Sequence, residues 1–114
     1  MKRTSIGEFE ETVLLMVLIL QDEAYMIALQ KELKDQANRS ITMGALHTTL
    51  SRLEKKGLLS SEMGEPTKER GGRRKRIYQV TAAGKSELST IREMRQSLWD
   101  RVPQFSLKFE NANG

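Results

Sequence analysis

Residues 43–84 read MGALHTTLSRLEKKGLLSSEMGEPTKERGGRRKRIYQVTAAG. Leu46, Leu50 and Leu53 recur at helical spacing and make one apolar stripe. Thr42, just before the stretch, can cap that helix through its hydroxyl, and Gly57 is a suitable stop. The expected helix therefore runs from Met43 to Gly57. At 100° per residue, the face opposite the leucines carries Gly44, Thr48, Ser51, Arg52 and Lys55, with no acid and no large apolar residue. Two strands are expected next. Leu58 to Met63 puts Leu59, Ser61 and Met63 on one side, and Arg76 to Val80 puts Tyr78 and Val80 on one face. Gly64 to Lys75 between them is turn-rich and basic. Thr81 then caps a further helix.

The flanks extend the pattern. Glu8, Glu10 and Glu11 occupy the first turn of a helix expected over Glu8 to Leu20, where the macrodipole favours acids. From Val13 onward it is apolar all round, which asks for burial on most sides, in part by a second subunit. A second helix is expected over Ala24 to Ala37, with Tyr25, Ala28, Leu29 and Leu33 inward. Ser40 to Thr42 is short enough for a minimal edge strand. The last helix spans Ala82 to Val102 and stops at Pro103, with Leu88, Ile91, Met94, Leu98, Val102 and Trp99 as its apolar positions.

Helix, helix, short strand, helix, strand, basic loop, strand, long helix is the winged helix-turn-helix plan. The fold class is mainly α with a small β-hairpin, plus a long C-terminal dimerisation helix. Three segments are expected: residues 1–81 as a winged-helix DNA-binding domain, 82–103 as the dimerisation helix, and 104–114 as a flexible tail.

The totals agree with one soluble domain. The chain has 114 residues, of which 30% are charged and 38% hydrophobic, and its net charge is +4. Residues 64–76 hold six basic side chains and two acids, so this segment alone equals the excess of the whole chain. Alone, such a cluster is often a solvated loop; coupled to the polar and basic face of the third helix one element earlier, it favours nucleic acid. No cysteine is present, which excludes disulfides and thiolate chemistry and fits a cytoplasmic location. The run VLLMVLIL at residues 13–20 is far too short to span a bilayer, and the acids before it argue against a signal peptide. His47 is the only histidine, no carboxylate pair stands out, and no phosphate-binding fingerprint occurs. An enzyme is not expected, nor a metal or cofactor.

The candidate DNA-binding residues are Thr42 at the cap of the third helix and Gly44, His47, Thr48, Ser51, Arg52 and Lys55 on it. To these the basic loop adds Lys68, Arg70, Gly72, Arg73, Arg74 and Lys75. Short polar side chains let a helix approach base edges in a groove about 12 Å wide. Alternate strand positions diverge, so Arg73 and Lys75 cannot share one phosphate track with Arg74 and Arg76. For His47, a phosphate or base contact or plain packing is expected rather than catalysis. Glu54 lies at the edge of the leucine stripe and either pairs with a strand arginine such as Arg76 or stays solvated. A dimer interface is expected from Val13, Val17, Leu88, Ile91, Met94, Leu98, Trp99 and Val102. Trp99 can also line an apolar pocket there for a flat ligand.

The segments MGALHTTLSRLEKKGLLSS and GEPTKERGGRRKRIYQVTAAG resemble the PadR family of bacterial transcriptional regulators. The first is similar to the family's recognition helix with its Arg-Leu-Glu, basic, Gly-Leu ending. The second is similar to its wing, closing on Tyr-x-Val-Thr-x-x-Gly. The likeness runs from about Gly7 to Trp99 and matches the shorter subgroup with one C-terminal helix. It implies a homodimer in which the first and last helices exchange contacts. It also implies operator binding, usually as a repressor, and in some members a response to aromatic effectors. Two departures stand out. The family usually has tyrosine where His47 stands, so a tyrosine-to-phosphate contact does not carry over. It often has glycine before the tyrosine of the second helix, where this chain has Ala24-Tyr25. The expected partners are thus a double-stranded DNA operator, a second copy of the chain and a small aromatic effector. The rival expectation is a winged-helix protein-interaction module.

Overall fold

The structure is a computed structural model and describes residues 6–65 and 75–104. Helix α1 spans Glu8–Leu20, a 3-10 turn follows at Gln21–Glu23, and α2 spans Met26–Ala37. Helix α3 spans Met43–Lys55, strands β1 and β2 span Leu59–Met63 and Arg76–Val80, and α4 spans Ala82–Arg101. The strands pair antiparallel, with Leu59 opposite Val80, Ser61 opposite Tyr78 and Met63 opposite Arg76.

Local signals set most boundaries. Thr42 accepts the amide of Ala45 at 3.1 Å, and Thr81 accepts that of Gly84 at 3.0 Å, so both threonine caps form. Gly57 takes a φ of 76°, and the bonds from Gly57 N–H to Glu54 O and from Leu58 N–H to Leu53 O close a Schellman end. Helix α3 therefore stops two residues short of the glycine, at Lys55.

Two expectations are corrected. Ala24 and Tyr25 precede α2 rather than opening it. Ala24 is fully buried, and its carbonyl accepts the amide of Tyr78 at 2.9 Å. That bond to β2 holds the chain extended until Tyr25, whose φ of −114° and ψ of 167° make it the N-cap. Ser40–Thr42 pairs with no strand among the described residues. Instead, the Ile41 carbonyl accepts the side-chain amide of Gln30 at 2.8 Å, which ties the turn between α2 and α3 to α2.

One core joins all elements. Val13, Leu14, Met16 and Val17 of α1 meet Leu29 and Leu33 of α2 and Leu46, Leu50 and Leu53 of α3. Leu58, Leu59, Tyr78 and Val80 close it on the hairpin side, and Leu88 joins from α4. Buried aliphatic side chains of this kind each contribute roughly 1.5–3 kcal/mol, which is why the leucine stripe fixes the roll of α3. Gly84 lets α4 start against the hairpin: a Cβ there would collide with the Leu58 carbonyl and with Val80. Beyond Ile91, α4 leaves the core, and Leu98 and Trp99 are 52% and 58% exposed.

Candidate nucleic-acid interface

Helix α3 presents the face expected of it. Gly44, His47, Thr48, Arg52 and Lys55 are exposed and Ser51 half-buried, while Leu46, Leu50 and Leu53 are fully buried behind them. Among the described residues, a Cβ at Gly44 would meet nothing within 4 Å, so no packing there requires glycine. The Thr48 hydroxyl donates to the Gly44 carbonyl at 3.0 Å, which leaves its oxygen lone pairs toward solvent. Thr49, one position on, is buried and donates to the Ala45 carbonyl at 3.1 Å.

Beneath the last turn of α3 lies Glu10, which sequence reasoning treated only as an acid favoured by the α1 dipole. Its side chain is about 10% exposed. Its Oε1 accepts the Gly7 amide at 3.1 Å and the Lys56 ammonium at 2.8 Å. Arg52 Nη1 lies 4.0 Å from its Oε2. A capping residue at the third helical position is a recognised sequence signal. The pairing across 46 residues carries none.

The hairpin is fastened at its loop end, just past the Met63–Arg76 pair. Lys75 sits over the Tyr25 ring at 4.3 Å from the centroid, and the Tyr25 hydroxyl donates to Glu23 at 2.7 Å. The Gly64 amide donates to the Lys75 carbonyl at 2.7 Å. Lys75 therefore faces the start of α2. The question left open for Glu54 has an answer in Ser61, whose hydroxyl donates to Glu54 at 2.8 Å and accepts from Arg76 at 3.0 Å. Arg76 reaches Glu54 through this serine. Burial raises the Tyr78 phenol above its ordinary pKa, the Glu54 carboxylate adds to that, and Arg76 opposes it. Lys68, Arg70, Gly72, Arg73 and Arg74 lie outside the described residues.

The expected dimer surface divides in two. Val13, Val17, Leu88 and Ile91 are at most 8% exposed in the single chain, so they belong to its own core and are not available to a second copy. The exposed large apolar residues of α1 are Leu15, Leu18 and Ile19, and those of α4 are Leu98 and Trp99, with Val102 at its C-cap. Met94 is half-buried. Leu15, Leu18, Leu88 and Trp99 line a cavity of about 430 Å³ with Glu11, Lys85, Arg92 and Arg95 at its polar side. Arg95 closes onto Glu11 at 2.8 Å and so joins α4 to α1. Among the described residues, no helix is long and apolar enough to cross a membrane.

The comparisons with known proteins agree with this architecture. No curated protein matches the chain. A PadR family transcriptional regulator from Eggerthella lenta is similar at 28% identity and a TM-score of 0.61, over 89% of this chain and 88% of that one. A PadR-like regulator from Bacillus cereus shares the fold at 18% identity, with a TM-score of 0.68 and coverage of 88% and 92%. A PadR family regulator from Clostridium difficile shares it at 23% identity, with a TM-score of 0.60 and coverage of 85% and 97%. The family described as transcriptional regulator PadR-like matches residues 14–90, from the buried half of α1 through the hairpin into α4. With the buried leucine stripe of α3, the fastened hairpin and this match all on one chain, it belongs to the PadR-like family of transcriptional regulators.

Proposed function

We infer that the chain is a homodimeric, sequence-specific DNA-binding regulator that acts as a repressor. The observation that carries this reading is the outer face of α3. It is short-chained, polar and basic, and its glycine has no packing reason to be glycine. Thr42, Gly44, His47, Thr48, Ser51, Arg52 and Lys55 form the surface that enters a major groove. The basic segment 68–74 of the wing grips phosphate or the adjacent minor groove. Lys75, stacked on Tyr25, orients the wing rather than reaching the duplex itself.

Dimerisation uses Leu15, Leu18 and Ile19 with Leu98, Trp99 and Val102. These large apolar residues are exposed on the single chain, and a second copy would cover them. A two-fold dimer implies half-sites about 34 Å apart, or a multiple. The cavity beside Trp99 has room for a small planar molecule, which supports effector control of the same dimer. The reading needs no catalysis, and its setting is the cytoplasm.

The test is selection of bound duplexes from a random pool, followed by binding of the selected duplex across a salt series. Recovery of a pseudo-palindromic sequence with a steep loss of affinity on adding salt is expected, since a dimer of this kind neutralises roughly 6–10 phosphates. Enrichment of no sequence, or a flat salt dependence, would overturn the reading in favour of a protein-interaction module.

A further inference from the structure

Among the described residues, Glu10 is the one buried charged side chain, and the reading of α3 as a recognition helix does not use it. Its two oxygens are treated differently. Oε1 is satisfied by the Gly7 amide at 3.1 Å and the Lys56 ammonium at 2.8 Å. Oε2 is buried and has no hydrogen-bond partner among the described residues. The group facing it is the Arg52 guanidinium, at 4.0 Å. That separation is beyond hydrogen-bond range, so Arg52 feels the carboxylate through its field alone. Arg52 is 55% exposed and stands on the outer face of α3.

This geometry has two consequences. Arg52 can swing away without stranding a bare buried charge, because Lys56 remains in contact with Glu10. While it stays, its charge is partly spent on Glu10. The same negative field opposes any phosphate brought up to Arg52, since like charges repel. It does not oppose a base edge, which carries no net charge but offers paired acceptors in the spacing of a guanidinium. An acid behind a groove-facing arginine therefore weakens the contact that every duplex offers more than the contact that one sequence offers.

We propose that Glu10 is a specificity-determining residue for DNA recognition: its carboxylate holds Arg52 back from phosphates and releases it to a base edge in the major groove. The proposal rests on the reading of α3 as the recognition helix. Glu10 is a positioning residue here, acting through Arg52.

The test compares a duplex selected by the wild-type chain with a scrambled duplex of equal length, each over a salt series. Arg52→Ala should lose about tenfold on the selected duplex and less than about twofold on the scrambled one. Glu10→Gln keeps an oxygen for the Gly7 amide and removes the charge. It should bind the scrambled duplex about threefold more tightly. Its salt slope there should steepen by about one unit per protomer. Both changes should vanish when Arg52→Ala is added. A merely structural Glu10 would move neither the slope nor the ratio between duplexes. The Arg52→Ala arm stands by itself if Glu10→Gln does not fold, because Arg52 is a surface residue. Equal loss on both duplexes for Arg52→Ala, or a Glu10→Gln gain that persists without Arg52, overturns the proposal. Failure of the wild-type chain to select any duplex would instead overturn the recognition-helix reading beneath it.

Discussion

The ammonium group of Lys75 lies 4.3 Å from the centre of the Tyr25 ring, joining the loop end of the hairpin to the cap of α2. An exposed cation–π contact of this kind contributes about 0.5–1 kcal/mol. Tyr25→Leu should therefore lower stability by about that amount in urea melts and loosen the returning strand. Faster amide exchange at Tyr78, whose N–H bonds to Ala24, would report the loosening. Tyr25→Phe keeps the ring and should leave that exchange unchanged. Equal behaviour of the two variants would show that the ring face does not matter.

Among the described glycines, Gly84 is the most closely packed. Any Cβ there meets the Leu58 carbonyl and the Val80 side chain. Gly84→Ala should cost about 1–3 kcal/mol through forced displacement of α4 from the hairpin. Gly44→Ala, with nothing within 4 Å, is the matched control and should be no less stable than wild type. Chemical denaturation of the pair checks both statements, and a stable Gly84→Ala chain would contradict the packing described.

Alkaline pH should expose the burial of Tyr78. Its folded pKa is raised, by burial first and then by Glu54, against the opposing charge of Arg76. The unfolded chain gives up this proton first, near pH 10. The stability contributed by the neutral phenol is thus whole below about pH 10 and declines as pH rises from there through the folded value. Tyr25 is raised as well, chiefly because its hydroxyl donates to Glu23. Melting temperatures from pH 8 to 11 should fall less steeply for Tyr78→Phe than for wild type. Parallel curves would show that Tyr78 ionises alike in both states.

The outer helices supply a test of assembly. Leu18→Asp together with Trp99→Ala alters two exposed residues that line one cavity. Sedimentation should show the wild-type chain as a dimer and this variant as a monomer at micromolar concentration. Circular dichroism should stay helical, since neither residue belongs to the core of the single chain. Val17→Asp should instead unfold the chain, because Val17 is only 2% exposed.

These contrasts show which parts of the fold the sequence made legible. The caps made by Thr42 and Thr81 and the stop at Gly57 act on backbone groups within a few residues, so these roles could be read in place. The leucines of α3 have a clear period, and all three are buried as expected. Helix α1 has no such period from Val13 to Leu20, and nothing in its own residues tells Val17, which is inward, from Leu18, which is not. The choice is made by what α2, α3 and the hairpin present to it. The place of Ala24 ahead of α2 and the pairing of Glu10 with Lys56 were not legible, for the same reason. Their decisive partners, Tyr78 and Lys56, are distant along the chain, and no pattern around either residue points to them.

Thr81 has one further consequence. Its hydroxyl donates to Gly57 at the end of α3 at 2.7 Å and accepts from Gly84 at the start of α4. Its amide bonds to Leu58. Three hydrogen bonds thus solder the exit of one helix to the origin of the other, like the pivot of a pair of callipers. In a dimer built on α4, the gap between the two α3 tips is gauged at this joint. Half-site spacing is then a dimension of the protein rather than a property of the duplex it meets.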